Sequence, residues 1–241
     1  MSWFKLDPQS VAARVASTGA TARAPTLAQS VCRGVVGFTV VSIAGFLPWA
    51  LAGAWFYHNS GELVLYLSCA VIFIGLSGLL MSPLIIGPDG LKRFYIFFSA
   101  AFGAYSLFWI VGWMGLRGQS MHVRSAAGLF AGTVVMGILF GFAFDARGAI
   151  VKIATALFIL NSLGYFVGGW IESVLSQTKE LNLIALTLRG ASLDVFMKVI
   201  WGLCYGIGFG AGLGFAFYTA QSRTRTRLEG HIDAAPVKTR T

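Results

Sequence analysis

Charged residues are scarce in this chain: Asp, Glu, Lys and Arg make up 11% of its 241 residues, against 56% hydrophobic residues. Soluble globular domains carry about 25% charged residues, most of them on the surface. The mean hydropathy of +0.75 therefore indicates a membrane protein and argues against a soluble domain.

Histidine and cysteine are also rare, with three of each. Cys69 and Cys204 fall inside apolar runs without metal or disulfide spacing, and no charged residue lies near the centre of any run. An active site needs general bases, paired acids or metal ligands. We therefore expect a protein that is not an enzyme, has no cofactor and holds no metal, and the uncharged centres also argue against an ion-coupled pump.

Six apolar runs are long enough to cross a bilayer, because about 20 helical residues span a hydrocarbon core of about 30 Å. The sequence predicts an all-α membrane protein, a six-helix bundle with spans at 35–57, 63–86, 94–116, 126–144, 150–171 and 199–219. We expect a cytoplasmic N-terminal segment (1–33, partly amphipathic or disordered), a transmembrane domain (34–220) and a basic disordered cytoplasmic tail (221–241). The domain's external insert, 176–198, has leucines at mixed spacing that predict a short surface helix.

The net charge of +9 comes from basic residues that flank the apolar runs. More of them lie beside the two termini and in the loops after the second and fourth spans than in the loops after the first, third and fifth spans. Because basic loops are typically cytoplasmic, this predicts that both termini are cytoplasmic. Because these residues are spread over flanks and not gathered on one face, we expect the lipid bilayer and not nucleic acid as their partner. Short loops and no recognisable leader favour the bacterial inner (cytoplasmic) membrane.

An internal repeat is suggested by two offsets within the chain. An offset of 56 residues pairs Asp89 with Asp145 and aligns the third span with the fifth, and an offset of 73 aligns the fourth with the sixth. Three parallel helical hairpins in a pseudo-threefold array would explain this pattern, and chance similarity between glycine- and phenylalanine-rich segments is the alternative.

Glycine is abundant, and two spans contain glycines four residues apart, as two separate pairs in the fourth span and as a continuous series in the sixth. The residues are Gly128, Gly132, Gly137 and Gly141 in the fourth span and Gly202, Gly206, Gly210 and Gly214 in the sixth. Stripes of small residues let helix backbones approach closely in lipid. The pattern predicts helix packing inside the chain, and a membrane-protein partner or a homo-oligomer is the alternative.

Two polar features lie within the spans. Asn161 and Ser162 sit in the middle of the fifth span, where the 56-residue offset aligns them with Tyr105 and Ser106 of the third. Such residues either join helices by hydrogen bonds or line a path for a small solute.

Gly75-Leu-Ser77-Gly78 resembles the GxSG motif of rhomboid intramembrane proteases over four residues. That family needs a histidine on a later span to activate the serine. The histidines here are His58 and His122 near or in loops and His231 in the tail, so Ser77 lacks a base and we expect it to be a packing residue.

These patterns favour passive or facilitated permeation of a small neutral solute as the function. The alternative is a non-catalytic structural or assembly subunit of a larger membrane complex. A membrane enzyme has the least support.

Overall fold

The computed structural model describes residues 4–19, 24–178, 180–183 and 186–233. The last part of the predicted basic tail, 234–241, lies outside the described residues, as do 1–3 and 20–23 of the N-terminal segment and 179, 184 and 185 of the external insert. The protein is 85% helical, in agreement with the predicted all-α class.

Six helices of the described residues are long and apolar enough to cross a membrane, which is the predicted number. They are α2 (Leu27–Asn59), α3 (Glu62–Met81), α4 (Gly90–Gly115), α5 (Met121–Ala143), α6 (Ile150–Ser176) and α7 (Ala191–Ala220), with α1 (Pro8–Thr18) before them and α8 (Ser222–Asp233) after them. The short 3-10 turns Ser82–Leu84 and Arg147–Ala149 follow α3 and precede α6.

Local sequence explains several helix boundaries. Thr26 and Gln29 form a reciprocal capping box, so α2 begins eight residues before its predicted span. Asp7 caps α1 by accepting the Ser10 backbone N–H, with Pro8 in the first turn. Pro83 lies in the 3-10 turn after α3, where a residue without a backbone N–H is tolerated.

The six spanning helices form a closed ring. Each packs against its neighbours in the sequence, and α7 closes the ring against α2. Phenylalanines fill the interior; the fully buried ones are Phe38, Phe94, Phe97, Phe98, Phe140, Phe144, Phe209 and Phe217. Large apolar side chains such as Val71, Val151 and Trp170 cover the outer surface, as expected of helices that face lipid.

Both described ends of the chain lie at one end of the ring, which we call the terminal end. Here α1 contacts α8, and Phe4 before α1 packs edge-on against Phe97. Asp89 and Asp145, which the 56-residue offset pairs, lie in the turns before α4 and α6 with φ of 57° and 51°. Each carboxylate pairs with an arginine of a terminal helix, Arg14 at 2.7 Å and Arg223 at 3.3 Å. The two turns are alike, and the hairpin repeat itself stays a prediction.

The sequence predicts a disordered tail from residue 221. In the structure, the helix α8 runs from Ser222 to Asp233. Leu228 packs against Val11 and Ile86, and Thr224 is buried. These contacts stabilise a polar, basic segment as a helix, and the sequence alone does not reveal them.

The predicted surface helix of the external insert is wrong over 180–189. Two antiparallel strands, β1 (Glu180–Leu183) and β2 (Leu186–Arg189), form a hairpin with Leu181 opposite Leu188. Alternating apolar residues match the two-residue period of a strand, and the Glu180–Arg189 ion pair joins its open end at 2.6 Å. Residues 191–198 of the insert are the first turns of α7.

Candidate functional site

A hydrogen-bonded polar cluster lies inside the ring, near the middle of three helices. The Asn161 side chain of α6 donates its Nδ2–H to the Tyr105 hydroxyl of α4 at 2.8 Å. The Tyr105 hydroxyl lies 3.3 Å from that of Tyr205 on α7. All three residues are buried, and Asn161 has no exposed surface. We call these three residues the polar cluster.

The cluster is incompletely satisfied. Within the described ranges, Asn161 Oδ1 is buried without a hydrogen-bond partner, and so is the hydroxyl of Ser162 next to it. A buried acceptor without a partner typically costs about 1–3 kcal/mol. The polar cluster therefore contains an amide oxygen available to a hydrogen-bond donor.

The predicted polar residues divide between this cluster and its edge. The structure brings Asn161 and Tyr105 together across helices, whereas Ser162 and Ser106 are only partly buried and do not join the hydrogen-bonded group. Tyr205 of α7 completes the cluster.

A second polar contact lies nearer the end opposite α1 and α8. The Tyr165 hydroxyl of α6 is 3.2 Å from the Ser125 hydroxyl of α5, and Trp201 Nε1 donates to the Tyr165 carbonyl oxygen at 3.1 Å. Sequence reasoning missed Ser125 because it lies one turn inside the start of α5, where a serine has no distinctive pattern.

Aromatic rings fill the ring interior on the terminal side of the cluster. Tyr105 stacks on Phe102 and on Phe209, at centroid distances of 5.9 and 5.0 Å. Further toward α1 and α8, Phe140 and Phe217 meet edge-on at 4.8 Å. The polar cluster therefore ends against a layer of packed rings, which we call the aromatic layer.

The glycines of α7 contact α2 backbone. A Cβ added at Gly206, Gly210 or Gly214 would come closer than 3.0 Å to a backbone atom of α2. Gly202 lies against the same helix, and its carbonyl oxygen accepts a hydrogen bond from Ser42 Oγ at 2.7 Å. Only a residue without a side chain fits such contacts.

The glycines of α5 also lie against helices of the same chain. Gly128 and Gly132 contact Trp109 and Tyr105 of α4, while Gly137 and Gly141 contact Ala154 and Ile150 of α6. These glycine faces are thus covered within the chain.

The serine of the GxSG segment, Ser77, lies inside α3. Its hydroxyl is fully buried and has no hydrogen-bond partner in the described part of the chain. The neighbouring Gly78 faces the Tyr95 ring, whose hydroxyl donates to the Gly75 carbonyl oxygen at 2.6 Å. The GxSG segment packs α3 against α4.

Among the described residues, no group of three or more His, Cys, Asp or Glu side chains is placed to hold a metal ion. Comparison with protein-family models, with curated proteins and with solved structures finds no match. The six apolar helices define the class, a multi-pass membrane protein.

Proposed function

We propose that this protein permits passive or facilitated permeation of a small neutral solute, and that the solute binds at the polar cluster. The observation that carries the proposal is the unpartnered Oδ1 of Asn161, fully buried inside a closed ring of helices. A hydroxyl or amide N–H of a solute would supply the missing donor.

The chemistry of the cluster favours a neutral solute. It contains one amide and two phenol groups without a charged residue among them. Neutral groups of this kind do not offset the large desolvation cost of an ion. In this proposal the structure represents a closed state, with the aromatic layer as the barrier on the terminal side.

The orientation and the compartment belong to the same proposal. The excess of basic flanks beside the termini supports a cytoplasmic terminal end in a bacterial inner membrane. To reach the cluster from the outer face, a solute would then have to pass Trp201 and Phe46, which pack against Tyr165 and Tyr205.

Solute flux into proteoliposomes tests the proposal. Purified protein is reconstituted, and the uptake of urea or glycerol is followed by stopped-flow light scattering. We expect uptake to be faster than in protein-free vesicles. In Asn161→Ala the protein-dependent uptake rate should fall about tenfold, because the loss of one hydrogen bond of about 1.4 kcal/mol corresponds to a factor of ten. Asn59→Ala is the matched control, because Asn59 is exposed at the end of α2. Equal uptake with and without protein would refute permeation of these solutes.

A second candidate is a non-catalytic subunit of a larger membrane complex, and the packed aromatic layer favours it because it interrupts the polar path. Since the glycine faces are covered, such a partner would bind the outer apolar surface. Gentle purification from the native membrane followed by mass spectrometry tests this candidate. A membrane protein bound at fixed stoichiometry, together with no solute uptake, would favour it over permeation.

A further inference from the structure

Arg93 is buried near the start of α4 with most of its donors unused. The residue is 4% exposed, and its Nε and Nη1 have no hydrogen-bond partner among the residues that the structure describes. Its Nη2 donates to the carbonyl oxygens of Ile86 at 2.9 Å and Pro88 at 2.5 Å. A buried guanidinium group normally has its donors paired, because unpaired charged donors are costly to bury.

The surroundings of Arg93 carry excess positive charge. The α3–α4 loop, residues 82–89, is also contacted by Arg33, which donates to the Pro83 carbonyl oxygen at 3.3 Å, and by Arg14, which pairs with Asp89 at 2.7 Å. In the described part of the chain, three guanidinium groups thus contact this loop, and its one carboxylate is that of Asp89. An anion is the group that would balance them.

From this arrangement we propose that Arg93, together with Arg14, binds a phosphate group at the terminal end. Arginine suits phosphate because its planar guanidinium presents several N–H donors to the phosphate oxygens. Arg93 lies one turn from the start of a spanning helix, which is the depth of lipid headgroups. A phospholipid headgroup and a free phosphate share this chemistry.

Access to Arg93 depends on α1. A Cβ added at Gly87 would lie 3.4 Å from Arg93 Nη2 and 3.2 Å from Val11 of α1, so α1 covers the loop beside the guanidinium. The Arg14–Asp89 pair that helps to hold α1 there is partly exposed, and such pairs contribute little stability. A phosphate group offers Arg14 a second acceptor, so α1 can shift while Arg14 stays paired.

Thermal unfolding of the delipidated full chain in a maltoside detergent tests the site. In one arm the Tm in inorganic phosphate is compared with the Tm in chloride at equal ionic strength. In the other arm the Tm with added phosphatidylglycerol is compared with the Tm with uncharged diacylglycerol. We expect the Tm to rise by about 5 to 10 °C at a hundredfold excess over Kd. A rise with inorganic phosphate identifies a soluble phosphate site, and a rise with phosphatidylglycerol alone identifies a headgroup site.

Variants show whether Arg93 is responsible. Arg93→Gln should lose the Tm rise, whereas Lys92→Gln, which removes one exposed positive charge next to it, should keep the rise. An unchanged rise in a folded Arg93→Gln would overturn the proposal. If that variant does not fold, Arg93→Lys keeps the charge and should reduce the rise. The proposal is also overturned if neither inorganic phosphate nor phosphatidylglycerol raises the Tm of the wild-type protein. This site is independent of the polar cluster, so its failure leaves the permeation proposal standing.

Discussion

Replacing Gly210 with alanine should push α7 away from α2. The added Cβ would lie closer than 3.0 Å to the carbonyl oxygen of Gly34, a backbone atom that cannot rotate away. The two helices must therefore separate, and the neighbouring hydrogen bond from Ser42 to the Gly202 carbonyl oxygen would lengthen. Because α2 and α7 close the ring, the strain falls on the contact that holds the bundle together.

The expected loss follows from the cost of overpacking, about 1–3 kcal/mol for an added group in a tightly packed site. Alanine also has a better helix propensity than glycine, by about 1 kcal/mol, which offsets part of this loss. Gly103→Ala is the matched control, since a Cβ there meets nothing within 4 Å. Both variants gain the same helix propensity from alanine, so the difference in their stability reports the packing cost at Gly210.

The assay is thermal unfolding of both variants in the same detergent. At about 2–4 °C per kcal/mol for a chain of this size, Gly210→Ala should unfold about 2 to 12 °C below Gly103→Ala. Adding Gly34→Ala to Gly210→Ala should cost less than the sum of the single changes, because the first alanine has already separated the helices. A Tm for Gly210→Ala within about 1 °C of Gly103→Ala would refute the close α2–α7 contact.

Three further substitutions test contacts inside the ring and at its terminal end by the same unfolding assay. Tyr105→Phe leaves the Asn161 amide without its acceptor and should cost about 1–3 kcal/mol; no loss would mean that the amide finds another partner. Ser42→Ala removes one interhelical hydrogen bond and should cost about 0.6 to 1.7 kcal/mol, with an unchanged Tm counting against that bond. Arg223→Ala breaks an ion pair whose side chains are 65% and 55% exposed, so it should cost less than about 1 kcal/mol, and a larger loss would assign α8 a greater structural role.

The spanning helices were predictable because run length and composition alone determine which segments can cross a bilayer. The boundaries of these helices were less predictable. The start of α2 at Leu27 depends on the capping pair Thr26 and Gln29, which lies in a polar stretch outside the apolar run. The helix α8 depends on contacts with α1 that no local pattern encodes.

The polar cluster was predictable only in part. Asn161 stands out in a sequence as an amide in the middle of an apolar run, and the 56-residue offset draws attention to Tyr105. Their hydrogen bond across α4 and α6 and the contribution of Tyr205 depend on how the ring closes. Arg93 looks like an ordinary flanking charge, since the sequence does not show that α1 folds back over its loop.

Six crossings with both termini on the cytoplasmic side underlie both proposals. Single-cysteine labelling tests this topology directly after Cys32, Cys69 and Cys204 are replaced with serine. Exposed positions at the two ends of the ring are available at Ser60, Gln119 and Thr178 on one side and at Ser17, Gly148 and Thr226 on the other. In right-side-out vesicles, an impermeant maleimide should label cysteines in the first set and leave those in the second unlabelled until the membrane is permeabilised. Labelling of Gln119→Cys and Gly148→Cys from the same side would contradict the crossing of α5 and with it the six-helix account.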